Sequence, residues 1–289
     1  MTLSLRFGAV TDIGRTRKKN DDSGYAGPNF VMVADGMGGA AAGDLASAVA
    51  VQTMSGLDAP APADMLEALG GAVQQANDKL AELIDEDPAV EGMGTTVTAA
   101  LFDGTRIGVA HLGDSRGYLW HDGELLRITD DHTWVQSLID EGRITEDEAT
   151  THSHRSLLLK VLDGRHDNVP DLTLYDVAAG DRILICSDGL SGFVDHERIA
   201  RVMAIGTADS VAAELTQLAL EAGSSDNVTV IVADVVDEPG TDAAPLVVGS
   251  AAEASGGALG KLRAWSQRDE ADPAETPPAD PDVDPEELR

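Results

Sequence analysis

Segments of strand character in this chain come in runs, and segments of helical spacing fall between the runs. Residues 5–10, 30–34, 96–102, 107–112, 182–186 and 227–233 are rich in Val, Ile and Thr and are bounded by Gly, Asp or Asn, as strands are. Residues 117–120 and 124–128 flank His121-Asp122-Gly123, where Asp-Gly signals a tight hairpin. Apolar residues recur at helical spacing over 41–54, 63–83, 132–141 and 210–222. A doubly wound parallel sheet requires strands and helices to alternate one by one. Runs of strands predict instead an α+β fold with antiparallel sheets.

A chain of 289 residues can bury a substantial core. Aromatics make up only 3% of it, so Val, Ile, Leu and Ala must supply the packing. Composition changes at Asp237. Residues 237–289 carry 13 Asp or Glu against 4 Lys or Arg, and 7 of the 12 prolines. Such a segment buries too little apolar area to offset its ordering entropy. We expect a globular domain over 1–236 and a mostly disordered acidic tail over 237–289. The net charge of −31 repels phosphate backbones and excludes nucleic acid as a partner. No run of about 18 apolar residues is available for a membrane span, and no charged start precedes an apolar leader. Cys186, the single cysteine, has no partner for an intrachain disulfide, which suits a reducing compartment. A cytoplasmic protein is expected.

Four Asp-containing strand or turn positions stand out. They are Asn20-Asp21-Asp22, Asp35-Gly36 after Val31-Met-Val-Ala, Asp188-Gly189 after Ile183-Leu-Ile-Cys-Ser, and Asp226-Asn227 before Val228-Thr-Val. Taken singly, each reads as a strand-to-turn transition with Asp accepting a backbone hydrogen bond. Taken together, carboxylates at the ends of packed strands repel unless a cation neutralises them. Oxygen ligands suit Mg²⁺ or Mn²⁺, and glycine after Asp35 lets a backbone carbonyl join the ligands. Two such ions about 4 Å apart activate water and clamp an in-line displacement at phosphorus. Arg17, close in sequence to the Asp pair, is either a bidentate phosphate holder or one more cation of the basic stretch 15–19.

Six motifs in order then resemble the protein phosphatase 2C family in its bacterial form. They are Arg17-x-x-Asn20-Asp21-Asp22, Ala34-Asp35-Gly36-Met37-Gly38-Gly39, Gly94-Thr95-Thr96, Gly113-Asp114-Ser115-Arg116, Ser187-Asp188-Gly189-Leu190 and Asp226-Asn227-Val228-Thr229. The resemblance covers roughly residues 5–236 and implies an α-β-β-α sandwich, with metals in a cleft at one end of two facing sheets. It implies that Asp35 bridges two Mn²⁺ or Mg²⁺ ions and that the Gly36 carbonyl binds one of them. By the same matching Asp188 and Asp226 hold the other, Asp21 and Asp22 complete the site, and Arg17 grips the substrate phosphate. A third ion is implied beside Asp114 with Ser156 near it, and residues 134–154 become a flap at the cleft. Two departures stand out. Asp21 replaces the family's usual Glu, so it is expected to reach its metal through water. Met37 stands where animal members carry a histidine that protonates the leaving group, and Ala40 replaces a histidine common in bacterial members.

The expected activity is hydrolysis of phosphoserine and phosphothreonine in proteins by a metal-activated water, without a covalent enzyme intermediate. The implied partners are serine/threonine kinases and their substrates. Two rival readings stay open: a phosphoprotein-binding regulator without turnover, and a phosphatase dedicated to one regulatory partner. Cys186 reads as an interior strand residue, because position 192 is Gly where a cysteine phosphatase needs Arg. His111 reads as structural, His132 as a local cap or local hydrogen-bonding group, and His152 and His154 as loop residues.

Overall fold

The structure, a computed structural model, describes residues 3–38, 42–165, 167–240 and 243–254. Its strands are β1 (Leu3–Asp12), β2 (Ser23–Ala26), β3 (Phe30–Ala34), β4 (Gly36–Met37), β5 (Gly94–Thr95), β6 (Val97–Phe102), β7 (Arg106–Leu112), β8 (Arg116–His121), β9 (Glu124–Arg127), β10 (Asp171–Asp176), β11 (Arg182–Cys186), β12 (Val228–Asp237) and β13 (Leu246–Gly249). Its helices are α1 (Gly43–Met54), α2 (Met65–Glu86), α3 (Trp134–Asp140), α4 (Glu146–Thr150), α5 (Asp188–Ser191), α6 (His196–Met203), α7 (Ala208–Glu221) and α8 (Ser250–Ala254).

Five strands form an antiparallel sheet in the order β1-β12-β11-β8-β9, and six form another in the order β10-β7-β6-β3-β2-β13. The period of two along β12 decides what lies on each face. Val228, Val230 and Val232 pack with Leu190 of α5, Ile199 of α6 and Leu215 of α7. Ile231, Ala233 and Val235 instead join Val31, Val33, Ala100 and Val109 of the other sheet. β11 divides in the same way, with Leu184 and Cys186 toward the helices and Ile183 and Ile185 between the sheets. On the far side α1 lies on β2 and β3, and α2 on β7 and β10. The layers are α-β-β-α.

Local chemistry sets the element ends. Asp64 caps α2 by accepting from the Glu67 amide at 3.0 Å, and Thr207 forms a capping box with Ser210 at the start of α7, each satisfying an orphan donor. Asp122 and Gly123 both take positive φ, 50° and 87°, as the two-residue hairpin between β8 and β9 requires.

The boundary expected at 237 lies further along the chain. β12 runs through Asp237, β13 extends the second sheet by pairing with β2, and the compact unit ends at Glu253. Leu246, Val247 and Val248 have the strand-forming character that this edge needs, diluted in composition by their acidic and Pro-rich neighbours. Residues 241–242 and 255–289 of the expected tail lie outside the described residues, as do Gly39 and Ala40. Among the described residues no helix is long and apolar enough to cross a membrane.

Candidate active site

Strand register collects the candidate residues at one end of the sandwich. Asp12, closing β1, faces Val228, opening β12, while Cys186, closing β11, faces Arg116, opening β8. In the other sheet Ser23, opening β2, faces Ala34, closing β3, and Val97, opening β6, faces Leu112, closing β7. The loop 13–22, Asp35, the turn at Asp114, Asp188 and Asp226 therefore all leave the sheets at ends that neighbour one another.

Their carboxylates feel each other. Asp35 is pushed well above the usual carboxylate range by burial and then by Asp22, Asp188, Asp114 and Asp226. Burial, reinforced by Asp188 and Asp226, raises Asp22 to about 7 against the opposing hydrogen bonds from Thr229 and Ser187. Burial and Asp188 raise Asp114 to about 8. Burial and Asp226 raise Asp188 to about 6, partly offset by Arg17 and Arg116. Asp22 is fully enclosed, whereas Asp35, Asp114 and Asp188 keep some exposed surface. These carboxylates therefore sit deep in the protein while three of them still reach solvent.

The chain itself leaves part of this charge unanswered. Asp22 Oδ2 accepts from Thr229 Oγ1 at 2.7 Å, but the buried Asp22 Oδ1 and Asp188 Oδ1 have no hydrogen-bond partner among the described residues. Asp21 is answered by Lys19 Nζ at 3.0 Å. Unpartnered buried carboxylate oxygens are expensive, and hard cations are the natural partners of such oxygens. Among the described residues no three acidic, His or Cys side chains already close on one point as a chelate, consistent with mutual repulsion of like charges. The donor set fits Mn²⁺ or Mg²⁺. A surface depression of about 370 Å³ lined by Asp12, Gly14, Arg15, Gln217 and Leu220 includes none of these site carboxylates.

Backbone and second-line contacts fix the cluster. A Cβ on Gly36 would stand 2.2 Å from the Gly43 carbonyl oxygen and 2.4 Å from that of Asp21, so only glycine permits this approach. The Asp35 amide donates to Thr96 Oγ1 at 2.9 Å, and the Asp35 carbonyl accepts from Thr95 Oγ1 and the Thr96 amide, each at 2.9 Å. Asn227 clamps the preceding loop. Its Oδ1 accepts from the Asp21 amide at 2.8 Å, and its Nδ2 donates to the carbonyls of Ile13 at 2.9 Å and Lys19 at 3.0 Å. Asn227→Ala is expected to destabilise the fold by about 2 kcal/mol through these orphaned groups, a loss that urea denaturation will read.

The structure brings together Asp22, Asp35, Asp114, Asp188 and Asp226, with Asp21 in the loop before β2 and Gly36, opening β4, packed against the Asp21 carbonyl. Arg17 lies with them too, but Nη2 is paired to Asp226 Oδ2 at 2.7 Å. Ser156 is not joined to the group: it is exposed in the turn after α4, and no hydrogen bond among the described residues ties it to Asp114. His132 corrects its reading as a local cap. The α3 cap is Thr133, and the His132 ring instead accepts from the Gly113 amide at 3.1 Å and meets Asp171 at 3.1 Å. His111 is buried between Thr98 and the Asp130 carbonyl, and Cys186 is fully buried with its thiol pushed up to about 12. Sequence reasoning missed Lys19, Asn227 and Thr229 as partners of the acidic loop. Lys19 sat in the basic stretch and the other two in a quoted motif, but neither signal says whom they bind.

Residues 17–219 match the family described as Protein phosphatase 2C. The chain belongs to the protein phosphatase 2C family. Within it, the serine/threonine protein phosphatase PstP of Mycobacterium tuberculosis is 45% identical over 287 residues, covering 97% of this chain and 56% of PstP. The chain thus spans little more than half the length of that relative. The serine/threonine phosphatase stp of Listeria monocytogenes is 32% identical over 235 residues, covering 78% of this chain and 93% of stp. The PstP catalytic domain solved in complex with two manganese ions superposes with a TM-score of 0.77 at 48% identity, covering 82% of this chain and all of that one.

Proposed function

We propose that the chain hydrolyses phosphoserine and phosphothreonine esters of proteins, dependent on divalent metal. The observation that carries this is the cluster of mutually repelling carboxylates with two buried oxygens that have no partner among the described residues. Family membership and the manganese-bound relative support it. On this reading Asp35 and the Gly36 carbonyl, with Asp21, Asp22, Asp188 and Asp226, would hold two Mn²⁺ or Mg²⁺ ions, and a third would lie near Asp114, without Ser156. Bound ions supply Lewis acidity and a water acidic enough to act as nucleophile at neutral pH.

Arg17 does the part that needs a fixed cation. In the free protein it neutralises Asp226; with substrate bound, its planar fork turns to two phosphate oxygens. Arg17→Ala is expected to lower kcat/KM roughly 30-fold, mainly through KM, for the loss of a charge-assisted contact. Met37 is exposed and carries no titratable group, so water delivers the proton to the leaving alkoxide. The flap over 134–154, with α3 and α4, borders the cleft. The phosphorylated partners are serine/threonine kinases and their substrates, and the role is signal transduction in the cytoplasm.

The deciding test is hydrolysis of p-nitrophenyl phosphate and a phosphothreonine peptide with Mn²⁺, with Mg²⁺ and with EDTA. Turnover that requires metal is the expected result. A folded protein inert with every metal would leave the phosphoprotein-binding reading in its place.

A further inference from the structure

The segment after the last central strand does more than extend a sheet. β13 pairs with β2 in the register Leu246↔Ala26 to Gly249↔Ser23, and the chain then turns over the acidic loop that precedes β2. The Ser250 amide donates to the Asp22 carbonyl at 2.9 Å, and Ser250 Oγ donates to the Asn20 carbonyl at 2.5 Å. The Asp21 carbonyl between them is held by the same segment through a relay. The Ala251 amide donates to Ser23 Oγ at 3.0 Å, Ser23 and Ser47 hydroxyls are 2.9 Å apart, and Ser47 Oγ donates to the Asp21 carbonyl at 2.6 Å. One direction of hydroxyl protons satisfies every link, because each hydroxyl gives one proton onward. Ser23, Ser47 and Ala251 are fully buried, and Ser250 nearly so.

The turn that delivers Ser250 is tightly specified. Gly249 takes φ of +71°, and a Cβ there would stand 2.1 Å from the Asp22 carbonyl oxygen. Neither the left-handed backbone nor the contact tolerates a side chain.

We propose that residues 246–251 form a brace that sets the divalent-cation affinity of the site, with Ser250 as its positioning residue. The inference rests on the reading that Asp21 and Asp22 serve the metals. Three consecutive carbonyls pinned from behind fix the backbone that aims the two carboxylates into the cleft. With the pins removed, that loop must be ordered when the cation binds, and affinity falls.

The test uses the full chain. Ser250→Ala removes one pin and Gly249→Val displaces the whole turn. Val202→Ala in α6, distant from the loop, supplies a control with lowered stability. Mn²⁺ dissociation constants are measured by calorimetry without substrate, and amide exchange at residues 20–23 is followed in EDTA. Ser250→Ala is expected to weaken Mn²⁺ binding roughly 10-fold, the usual effect of losing a group that orients a ligand, and Gly249→Val more so. Exchange at 20–23 quickens in both, while the control keeps the affinity and exchange of the wild type. Should Gly249→Val not fold, Ser250→Ala decides alone. Affinity within two-fold of wild type together with unchanged exchange overturns the brace. If the wild type itself takes up no Mn²⁺, the metal reading is what fails. The brace on the loop is then judged by exchange, and unchanged exchange sinks it.

Discussion

Asp35→Asn is expected to lower phosphate-ester hydrolysis on the order of 10³-fold at saturating Mn²⁺, the scale on which electrostatic groups at a reacting centre count. Asp35 is the carboxylate that senses all of its neighbours: Asp22, Asp188, Asp114 and Asp226 each raise it. An amide at that position keeps the shape and loses the charge that a pair of cations would share. The same change relieves repulsion in the metal-free protein. Asp35→Asn is therefore expected to melt at a higher temperature than wild type in EDTA while being far less active with Mn²⁺. Opposite signs in the two measurements separate a ligand from a residue that merely supports the fold. A variant retaining more than a tenth of wild-type turnover would mean that Asp35 is not the shared ligand.

The second large effect is a reversal of pH dependence by metal. Asp22, Asp188 and Asp114 titrate near 7, 6 and 8 in the folded protein, against about 3.9 in an unfolded chain. Folded values above unfolded ones mean that the native state binds the extra protons. Their contribution to stability is complete below about pH 4 and is lost as pH rises through about 6 to 8. In EDTA the melting temperature is expected to fall on the order of 10 °C between pH 6 and pH 8, allowing for the partial exposure of Asp114 and Asp188. With saturating Mn²⁺ the trend turns over, because cation binding requires the deprotonated ligands and tightens as they ionise. Thermal melts at both pH values, with and without Mn²⁺, check this. A metal-free melting temperature that is flat or rises over that interval would show that these carboxylates are answered by the protein alone.

Much of this was legible before the structure. Val31-Met-Val-Ala before Asp35 and Ile183-Leu-Ile-Cys before Ser187-Asp188 are fully buried strands that end where the apolar run ends, since burial on both faces leaves no periodicity to misread. Other elements were hidden for physical reasons. β10 reads Asp-Leu-Thr-Leu-Tyr-Asp at an exposed edge, and the adjacent Leu174 and Tyr175 break the period of two that would make it stand out. β13 owes its existence to the open edge of β2, which a local reading does not contain. Among the carboxylates, Asp35, Asp188 and Asp226 stand within two residues of a strand signal, which singles them out locally, whereas Asp114 is singled out only by the family resemblance. Their partners were not found, because Thr229 meets Asp22 across 207 positions and Asn227 meets Asp21 across 206, and no local spacing encodes such pairs. Arg17 lies near Asp21 and Asp35, and its pairing with Asp226 is a consequence of tertiary charge balance that local sequence does not contain.

β1 lies at the edge of its sheet, and its ladder partner β12 joins it in a register running from Leu3↔Asp237 to Asp12↔Val228. On a ribosome β1 must therefore wait for β12. At ~5–20 residues per second that interval is roughly 10 to 50 s, during which β1 has an unpaired edge and the acidic loop after it has neither Asn227 nor Thr229 to hold it. The carboxylate cluster cannot assemble on a partly made chain, because Asp21 and Asp226 come from opposite ends of the same closure. Such non-local pairing also folds slowly, so newly made protein is expected to gain its cation site and its fold in one late step.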